Sequence, residues 1–211
     1  MEIYINNKKY DASDSETIIQ VADRHDIHIP RFCYHKRLSI VASCRMCLVE
    51  VEGAKYPQPA CSTLVRDGMK INTSGTVTED AQKSTMEFLL INHPLDCPIC
   101  DQAGECELQD VSLEHGDYKS SFKEIKRTVI DKDIGNLVST EMTRCIHCSR
   151  CVRFGEEVAG IKELGMTGRG ENTKIETFIN ESLSSELSGN VIDLCPVGAL
   201  NNNLYKYTAR T

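Results

Sequence analysis

The side chains in this sequence most suited to chemistry are eleven cysteines and one histidine, which divide into three groups of four with no cysteine left over. Each group contains at least one Cys-x2-Cys pair. Sets of four soft ligands are typical of zinc sites and of iron–sulfur clusters. Three such sites in one small chain suggest a path for electrons. The groups are Cys33, Cys44, Cys47 and Cys61; His93, Cys97, Cys100 and Cys106; and Cys145, Cys148, Cys151 and Cys195.

The first group places one cysteine ahead of a close pair and a fourth cysteine well behind it. Plant-type [2Fe–2S] ferredoxins use the same order, but this chain has ten residues between its first two ligands where those ferredoxins have four. The alternative is a structural zinc site, which usually uses two Cys-x2-Cys pairs, whereas only Cys44 and Cys47 form such a pair here. The spacing favours a [2Fe–2S] cluster.

The second group has only three cysteines and needs a fourth ligand. His93 precedes Cys97 by four positions, and every other cysteine belongs to another group. A histidine here, considered alone, is more typical of a helix C-terminus, where a positive charge is favourable. The ligand count nevertheless predicts that His93 completes the set. Its neutral ring would raise the reduction potential, while the acidic residues nearby would lower it.

The third group resembles the bacterial ferredoxin pattern, in which Cys-x2-Cys-x2-Cys is completed by a distant Cys-Pro. Two-cluster ferredoxins have a second run of close cysteines, but here only Cys195 remains of it, so the pattern predicts one [4Fe–4S] cluster. Basic residues surround these ligands. They could form a solvated helix face, offset the charge of an anionic cluster or provide a docking edge. They are Arg144, His147, Arg150 and Arg153.

Short elements of mixed type must position these ligands. EIYIN and CLVEVEG predict strands, and Ser13 with Glu16 predicts a capping box that begins a helix. A second helix is predicted over residues 78–92, before Pro94, and connecting strands over 118–138. The expected class is α+β, with a β-grasp [2Fe–2S] domain followed by a module with one His and three Cys ligands and by a ferredoxin-like [4Fe–4S] module.

These elements and ligand positions predict four segments. Residues 1–75 are predicted to form the [2Fe–2S] domain and residues 76–116 the module with one His and three Cys ligands. Residues 117–200 are predicted to form a ferredoxin-like [4Fe–4S] module, and residues 201–211 a C-terminal tail. Modules this small have little core of their own, so metal binding is expected to contribute much of their stability.

Composition excludes several classes of function. The formal charge of −7 and the pI of about 5.4 argue against nucleic acid as a partner. No apolar run approaches the ~20 residues that cross a bilayer, and no export signal is evident, so we expect a soluble protein in a reducing compartment. No G-x-G-x-x-G loop predicts FMN or NAD binding, and no catalytic nucleophile is predicted.

The ligand motifs carry a resemblance to a known family. The chain resembles the N-terminal iron–sulfur region of the large peripheral-arm subunit of NADH-quinone oxidoreductase, whose mitochondrial form is the 75 kDa subunit of respiratory complex I. The stretches that carry the resemblance are IPRFCYHKRLSIVASCRMCLVEVEG, INHPLDCPICDQAGECELQD, EMTRCIHCSRCVRFGEEVAG and LSGNVIDLCPVGAL. It implies a [2Fe–2S] cluster on the first group and [4Fe–4S] clusters on the second and third.

The resemblance also implies a setting. Electrons would arrive from FMN on a flavoprotein partner and leave through a ferredoxin-like subunit toward quinone, on the cytoplasmic side of the inner membrane or the matrix side of a mitochondrion. The family's large molybdopterin-oxidoreductase-like domain is absent from these 211 residues. Two alternatives are the small diaphorase subunit of an NAD-reducing hydrogenase and a zinc-bound structural module.

Overall fold

The computed structural model describes residues 1–178 and 181–204. The first part of the chain forms a five-stranded mixed sheet. Its strands are β1 (Glu2–Ile5), β2 (Lys8–Asp11), β3 (Leu48–Val51), β4 (Gln58–Pro59) and β5 (Lys70–Asn72). Their order in the sheet is β2-β1-β5-β3-β4. Strands β1 and β5 are parallel, and the other neighbours are antiparallel.

Helix α1 (Ile18–Arg24) belongs to the same hydrophobic core as one face of this sheet. Ile18 and Val21 recur at helical spacing, and Ile3 and Ile5 recur at strand spacing, so each pair faces one side of its element. All four side chains are fully buried. Burying aliphatic side chains of this size contributes roughly 1.5–3 kcal/mol each. The core of the first domain therefore does not depend on its cysteines alone.

Helix α1 begins one turn later than the sequence predicts. The amide of Ser13 donates to the Glu16 carboxylate at 2.8 Å, but this pair closes a turn before the helix. The N-cap is Thr17, whose amide donates to Oε1 of Gln20 at 2.8 Å. Both pairs fit the same capping-box spacing, so the pattern alone could not choose between them.

Two helices enclose the second ligand group. They are α2 (Thr76–Leu90) and α3 (Glu107–His115), and a short 3₁₀ turn at Cys97–Ile99 lies between them. Helix α2 is the predicted second helix, displaced by two residues toward the N-terminus. Its Met86 packs with Leu108 and Val111 of α3 in a core that also contains ligand cysteines.

Small elements form the remainder of the described chain. They are β6 (Val138–Thr140), α4 (Arg150–Phe154), β7 (Leu164–Thr167), β8 (Lys174–Thr177), α5 (Asn190–Leu194) and β9 (Leu200–Asn202). Strand β6 pairs with β9 and β7 with β8, both antiparallel. Strand β9 extends past residue 200. Of the predicted tail, residues 205–211 lie outside the described residues.

The prediction of connecting strands over 118–138 is wrong except at its last residue. Residues 118–137 are described throughout and contain no strand. Hydrogen bonds to neighbouring elements, rather than pairing with another strand, position part of this segment. Lys126 Nζ donates to the carbonyls of Leu90 and Ile91 at 2.8 and 2.9 Å, at the C-terminal end of α2. Arg127 donates to the carbonyl of Cys145 at 3.2 Å.

One further feature concerns membranes. Among the helices in residues 1–178 and 181–204, none combines the length and the apolar composition that crossing a bilayer requires.

Candidate metal centres

The first ligand group is buried beside the sheet. Three of its cysteines lie in the loop between α1 and β3, and Cys61 follows β4. Arg45, inside the close pair, adopts a left-handed backbone with φ of 60°. The amide of Cys33 donates to Sγ of Cys44 at 3.4 Å. The fold thus brings together all four predicted ligands, Cys33, Cys44, Cys47 and Cys61, as buried neighbours.

These four thiols hydrogen-bond to one another. Contacts from Cys44 and Cys61 lower the pKa of Cys33, and a contact from Cys61 lowers the pKa of Cys47. The same contacts raise the pKa of Cys44 and Cys61, with burial adding to the rise. The group therefore stabilises some thiolates only by keeping protons on their neighbours. Bound metal would replace those protons, so the donor set fits an iron–sulfur cluster.

The second ligand group surrounds a cavity of about 220 Å³. All four predicted ligands line it, and helices α2 and α3 contribute Leu90 and Leu108. Cys100 and Cys106 are buried, whereas Cys97 is exposed. A cavity of this volume, lined by three thiols and an imidazole, fits a metal cluster better than a small organic ligand held by polar contacts. The ligands on this wall are His93, Cys97, Cys100 and Cys106.

The surroundings of His93 keep its imidazole ring neutral, which suits metal binding. Burial lowers its pKa to about 4, and the positive charges of Lys126 and Arg144 add to the effect. Its Nδ1 is buried and has no hydrogen-bond partner within the described part of the chain. A neutral imidazole with a free nitrogen is the form that binds metals.

The absence of a side chain at Gly198 leaves space for the second ligand group, a role that was not predicted from the sequence. A Cβ atom at this position would lie 2.3 Å from Sγ of Cys100, far inside any normal contact. The neighbouring Pro196 accepts a hydrogen bond from Sγ of Cys106 at 3.7 Å. In the sequence, the only indication of this role is that both residues closely follow the ligand Cys195. The segment that carries a ligand of the third group therefore also forms a wall of the second.

The third ligand group lines one small apolar cavity with Met142, Ile175 and Leu200. Burial raises the pKa of Cys145 and Cys195 to about 11 and that of Cys148 to about 12. Burial also raises the pKa of Cys151 well above its usual value, and repulsion from the other three thiolates adds to this. Two of these thiols, Cys148 and Cys151, are buried and the other two are half-buried. Four thiols with raised pKa values are stable as thiolates only beside a cationic centre, as metal ligation provides.

Local backbone conformation points these cysteines inward. His147 lies between Cys145 and Cys148, and Ser149 lies between Cys148 and Cys151. Both intervening residues are left-handed, with φ of 54° and 58°. The amide of His147 donates to Sγ of Cys145 at 3.4 Å. Each Cys-x2-Cys step of this group therefore contains a left-handed turn, as the step in the first group does.

The arginines of the third group are buried. Arg144, Arg150 and Arg153 expose only 2%, 5% and 5% of their surface. The possibilities of a solvated helix face and of a docking edge are therefore wrong for these three. Arg144 pairs with Asp96 at 3.1 Å, and Arg150 contacts Glu107 at 2.8 and 3.0 Å. Charge compensation in the interior is the possibility that agrees with their burial.

A metal-ion geometry is not preformed. Within residues 1–178 and 181–204, no set of three or more His, Cys, Asp or Glu side chains is arranged to hold a metal ion. What identifies the first group is instead its burial and the hydrogen bonds between its thiols. The second and third groups are identified by the cavities that their ligands line.

Family models match most of the chain in three segments. Residues 1–76 match a 2Fe-2S iron-sulfur cluster binding domain, and residues 82–120 match the NADH-ubiquinone oxidoreductase-G iron-sulfur binding region. Residues 135–201 match the ferredoxin-like domain of NADH-quinone oxidoreductase subunit 3. The chain is therefore an iron–sulfur protein with a 2Fe-2S ferredoxin-like domain and 4Fe-4S binding regions.

Curated relatives match over the whole chain. It is 53% identical to the NADH-ubiquinone oxidoreductase 75 kDa subunit of Reclinomonas americana, covering 100% of this chain and 30% of the relative. It is 50% identical to the mitochondrial NADH dehydrogenase [ubiquinone] iron-sulfur protein 1 of Solanum tuberosum, covering 100% of this chain and 28% of the relative. The chain is thus similar over its whole length to complex I 75 kDa subunits, and it spans less than a third of the length of these relatives.

A solved structure has the same fold. An NAD⁺-reducing [NiFe]-hydrogenase crystal structure in the H₂-reduced state contains a chain that superimposes with a TM-score of 0.89. The match covers 99% of this chain and 90% of that chain, at 23% sequence identity. This likeness concerns the fold alone.

Proposed function

We propose that this chain carries electrons through one [2Fe–2S] cluster and two [4Fe–4S] clusters as part of a NADH:quinone oxidoreductase. The first cluster would be held by Cys33, Cys44, Cys47 and Cys61, the second by His93, Cys97, Cys100 and Cys106, and the third by Cys145, Cys148, Cys151 and Cys195. When bound, such clusters supply one-electron reduction and oxidation. The full-chain identity to the 75 kDa relatives, together with the three converging ligand groups, carries the proposal.

Each cluster would occupy its own module. Residues 1–75 would form a β-grasp ferredoxin domain, residues 76–116 the module with one His ligand, and residues 117–200 the ferredoxin-like module. The strand order of the first sheet and the positions of the matched family models support these bounds. The remaining residues, from 201 onward, would form the tail.

Contacts between ligand segments support a continuous path. Arg153 donates to the carbonyls of Cys33 and Cys148, which joins the first group to the third. Sγ of Cys106 donates to the carbonyl of Pro196, which joins the second group to the third. Segments of the third group therefore contact segments of both other groups, and Cys33, Cys44, Cys106 and Cys148 share one hydrophobic core.

The protein's own residues would hold, shield and orient the redox centres. Apolar side chains around the third group exclude water, and amide donors such as that of His147 approach the ligand sulfurs. Buried arginines place positive charge close to the anionic ligands. No step of substrate turnover is assigned to this chain.

The partners follow from the proposed assembly. A flavoprotein that binds NADH and FMN would reduce the chain, and a ferredoxin-like subunit would accept its electrons and pass them toward quinone. The complex would sit at the cytoplasmic face of the inner membrane, or at the matrix face in a mitochondrion. A second candidate is a diaphorase role in an NAD-reducing hydrogenase, a kind of protein in which the same fold occurs.

The test uses the assembled complex in membranes of the source organism. Changing Cys148→Ser should abolish electron transfer from NADH to quinone but preserve NADH oxidation by ferricyanide, which accepts electrons at the flavin. Unchanged quinone reduction would contradict the proposal. Loss of hydrogen-dependent NAD reduction, with quinone reduction intact, would assign the chain to a hydrogenase instead.

A further inference from the structure

Arg153 carries a buried positive charge that is not part of an ion pair in the described structure. Its side chain lies on helix α4 and is 5% exposed. All of its hydrogen-bond acceptors in residues 1–178 and 181–204 are neutral oxygens. They are the carbonyls of Cys33, Ser39 and Cys148 and the hydroxyl of Ser149, at 2.5, 2.6, 3.2 and 3.2 Å.

A charge in this setting is costly. An ion removed from water loses several kcal/mol of hydration, and proteins normally recover this through a partner of opposite charge. The nearby acids are exposed and bond to other residues: Glu156 pairs with Lys162 at 3.6 Å, and Glu157 accepts a hydrogen bond from the Ser39 amide. The contacts from Ser39 lower the pKa of Glu157, and the charge of Arg153 helps to lower it without a contact between the two side chains. The contrast with Arg150 is clear, because Arg150 makes two hydrogen bonds to the Glu107 carboxylate.

The position of Arg153 indicates what neutralises it. One nitrogen, Nη2, donates to the carbonyls of two proposed ligands, Cys33 of the first group and Cys148 of the third. These residues are 115 positions apart in sequence. A [2Fe–2S] or [4Fe–4S] centre with four thiolate ligands carries net negative charge, and this guanidinium lies beside the backbone of both ligand sets.

The geometry points to Arg153 as a positioning residue and shared counter-charge for the first and third redox centres. The inference rests on the proposed function, because the negative partners are the clusters. A cation favours the more negative, reduced state of a neighbouring centre and therefore raises its reduction potential. Because the side chain also fixes the Cys33 and Cys148 segments against each other, it would tune both centres and hold their separation.

The test is a redox titration followed by EPR on anaerobically purified chain with its clusters assembled. Three variants are compared with the unmodified protein: Arg153→Gln removes the charge, Arg153→Lys keeps it, and Arg24→Gln is the control. Arg24 pairs with Glu16 on the surface of the first domain, distant in sequence from every ligand of the third group. At one fixed potential, Arg153→Gln should lower the ratio of reduced to oxidised centres about tenfold, or 59 mV, for both the first and third signals.

Arg153→Lys gives a second, independent readout. It should leave both reduced-to-oxidised ratios within about twofold of the unmodified protein. It should also speed amide exchange of residues 31–40, because one ammonium group cannot reach all the carbonyls that the guanidinium spans. This variant remains informative if Arg153→Gln does not assemble.

Three results would overturn the inference. The first is a pair of Arg153→Gln ratios that match those of Arg24→Gln, and the second is a Lys variant whose ratios fall as far as those expected for Gln. The third is a shift confined to one centre, which would contradict a shared role. The proposed function fails separately, because then the Arg24→Gln control itself would show no iron–sulfur signals.

Discussion

The first and second ligand groups use similar ligands in different surroundings. The first lies against a five-stranded sheet, and all four of its cysteines are buried. The second lies between two helices with no strand in residues 76–116, one of its cysteines is exposed, and Leu95 beside it is 86% exposed. The sheet domain has fifteen buried residues in its own core, whereas Met86, Leu108 and Val111 of the second module pack in a core that they share with ligands of all three groups. Metal binding and folding should therefore be coupled far more strongly in the second group.

The two groups also differ in the backbone conformation around their close cysteine pairs. Left-handed Arg45 turns the close cysteine pair of the first group inward, and hydrogen bonds connect its thiols. The equivalent pair of the second group, Cys97 and Cys100, is spaced by a 3₁₀ turn around Pro98 and opens onto the cavity. The surrounding fold therefore positions the ligands of the first group, whereas the second group lines an open cavity that a bound cluster would fill.

The largest expected effect is that of removing the iron. Chelation under anaerobic conditions should raise amide exchange in residues 93–115 by at least about a hundredfold, because the ligands no longer connect the loop to α2 and α3. Amides of β1 and β5 should change much less, since Ile3, Ile5 and Ile71 remain buried. Hydrogen exchange read by mass spectrometry checks both regions in one sample. Equal loss of protection in both regions would contradict the comparison.

A change at the unusual ligand should produce the next largest effect. His93→Ala should remove one [4Fe–4S] signal and about four of the ten irons, because three thiolates alone do not complete the set. The [2Fe–2S] signal should persist, since its ligands lie in the other region. Iron analysis and low-temperature EPR measure both quantities. Unchanged spectra would remove His93 from the ligand set.

A smaller effect is expected from filling the space at Gly198. Gly198→Ala should lower the occupancy of the second cluster, because the new Cβ would lie 2.3 Å from Sγ of Cys100 and would displace that thiol. Gly165→Ala is the matched control, since a Cβ there meets nothing within 4 Å and its backbone is not left-handed. Iron content of the two variants provides the comparison. Equal iron in both would show that the wall at Gly198 yields without cost.

The sequence was informative where chemistry depends on local spacing. Each Cys-x2-Cys pair and the Cys-Pro step could be recognised from neighbouring residues, and the structure places each predicted set in one buried cluster or around one cavity. The start of α1 was misplaced because two capping boxes of equal spacing follow one another. The strands predicted over 118–138 were wrong because Lys126 and Arg127 bond to other elements instead of pairing a strand.

Burial of the arginines could not be predicted from the sequence. Arg150 and Arg153 stand among ligands at helical spacing, a pattern equally typical of a solvated face. Their burial comes from contacts with segments 43 and 120 residues away, at Glu107 and Cys33. The role of Gly198 likewise depends on a distant residue, Cys100. Long-range packing therefore supplied what local patterns did not contain.

The most decisive experiment is to measure the iron and acid-labile sulfide content of anaerobically purified protein, together with low-temperature EPR. Three clusters on the three ligand groups predict about ten irons and ten sulfides per chain, with one binuclear and two tetranuclear signals. Zinc without sulfide, in colourless protein, would contradict the electron-transfer role and leave a structural module in its place.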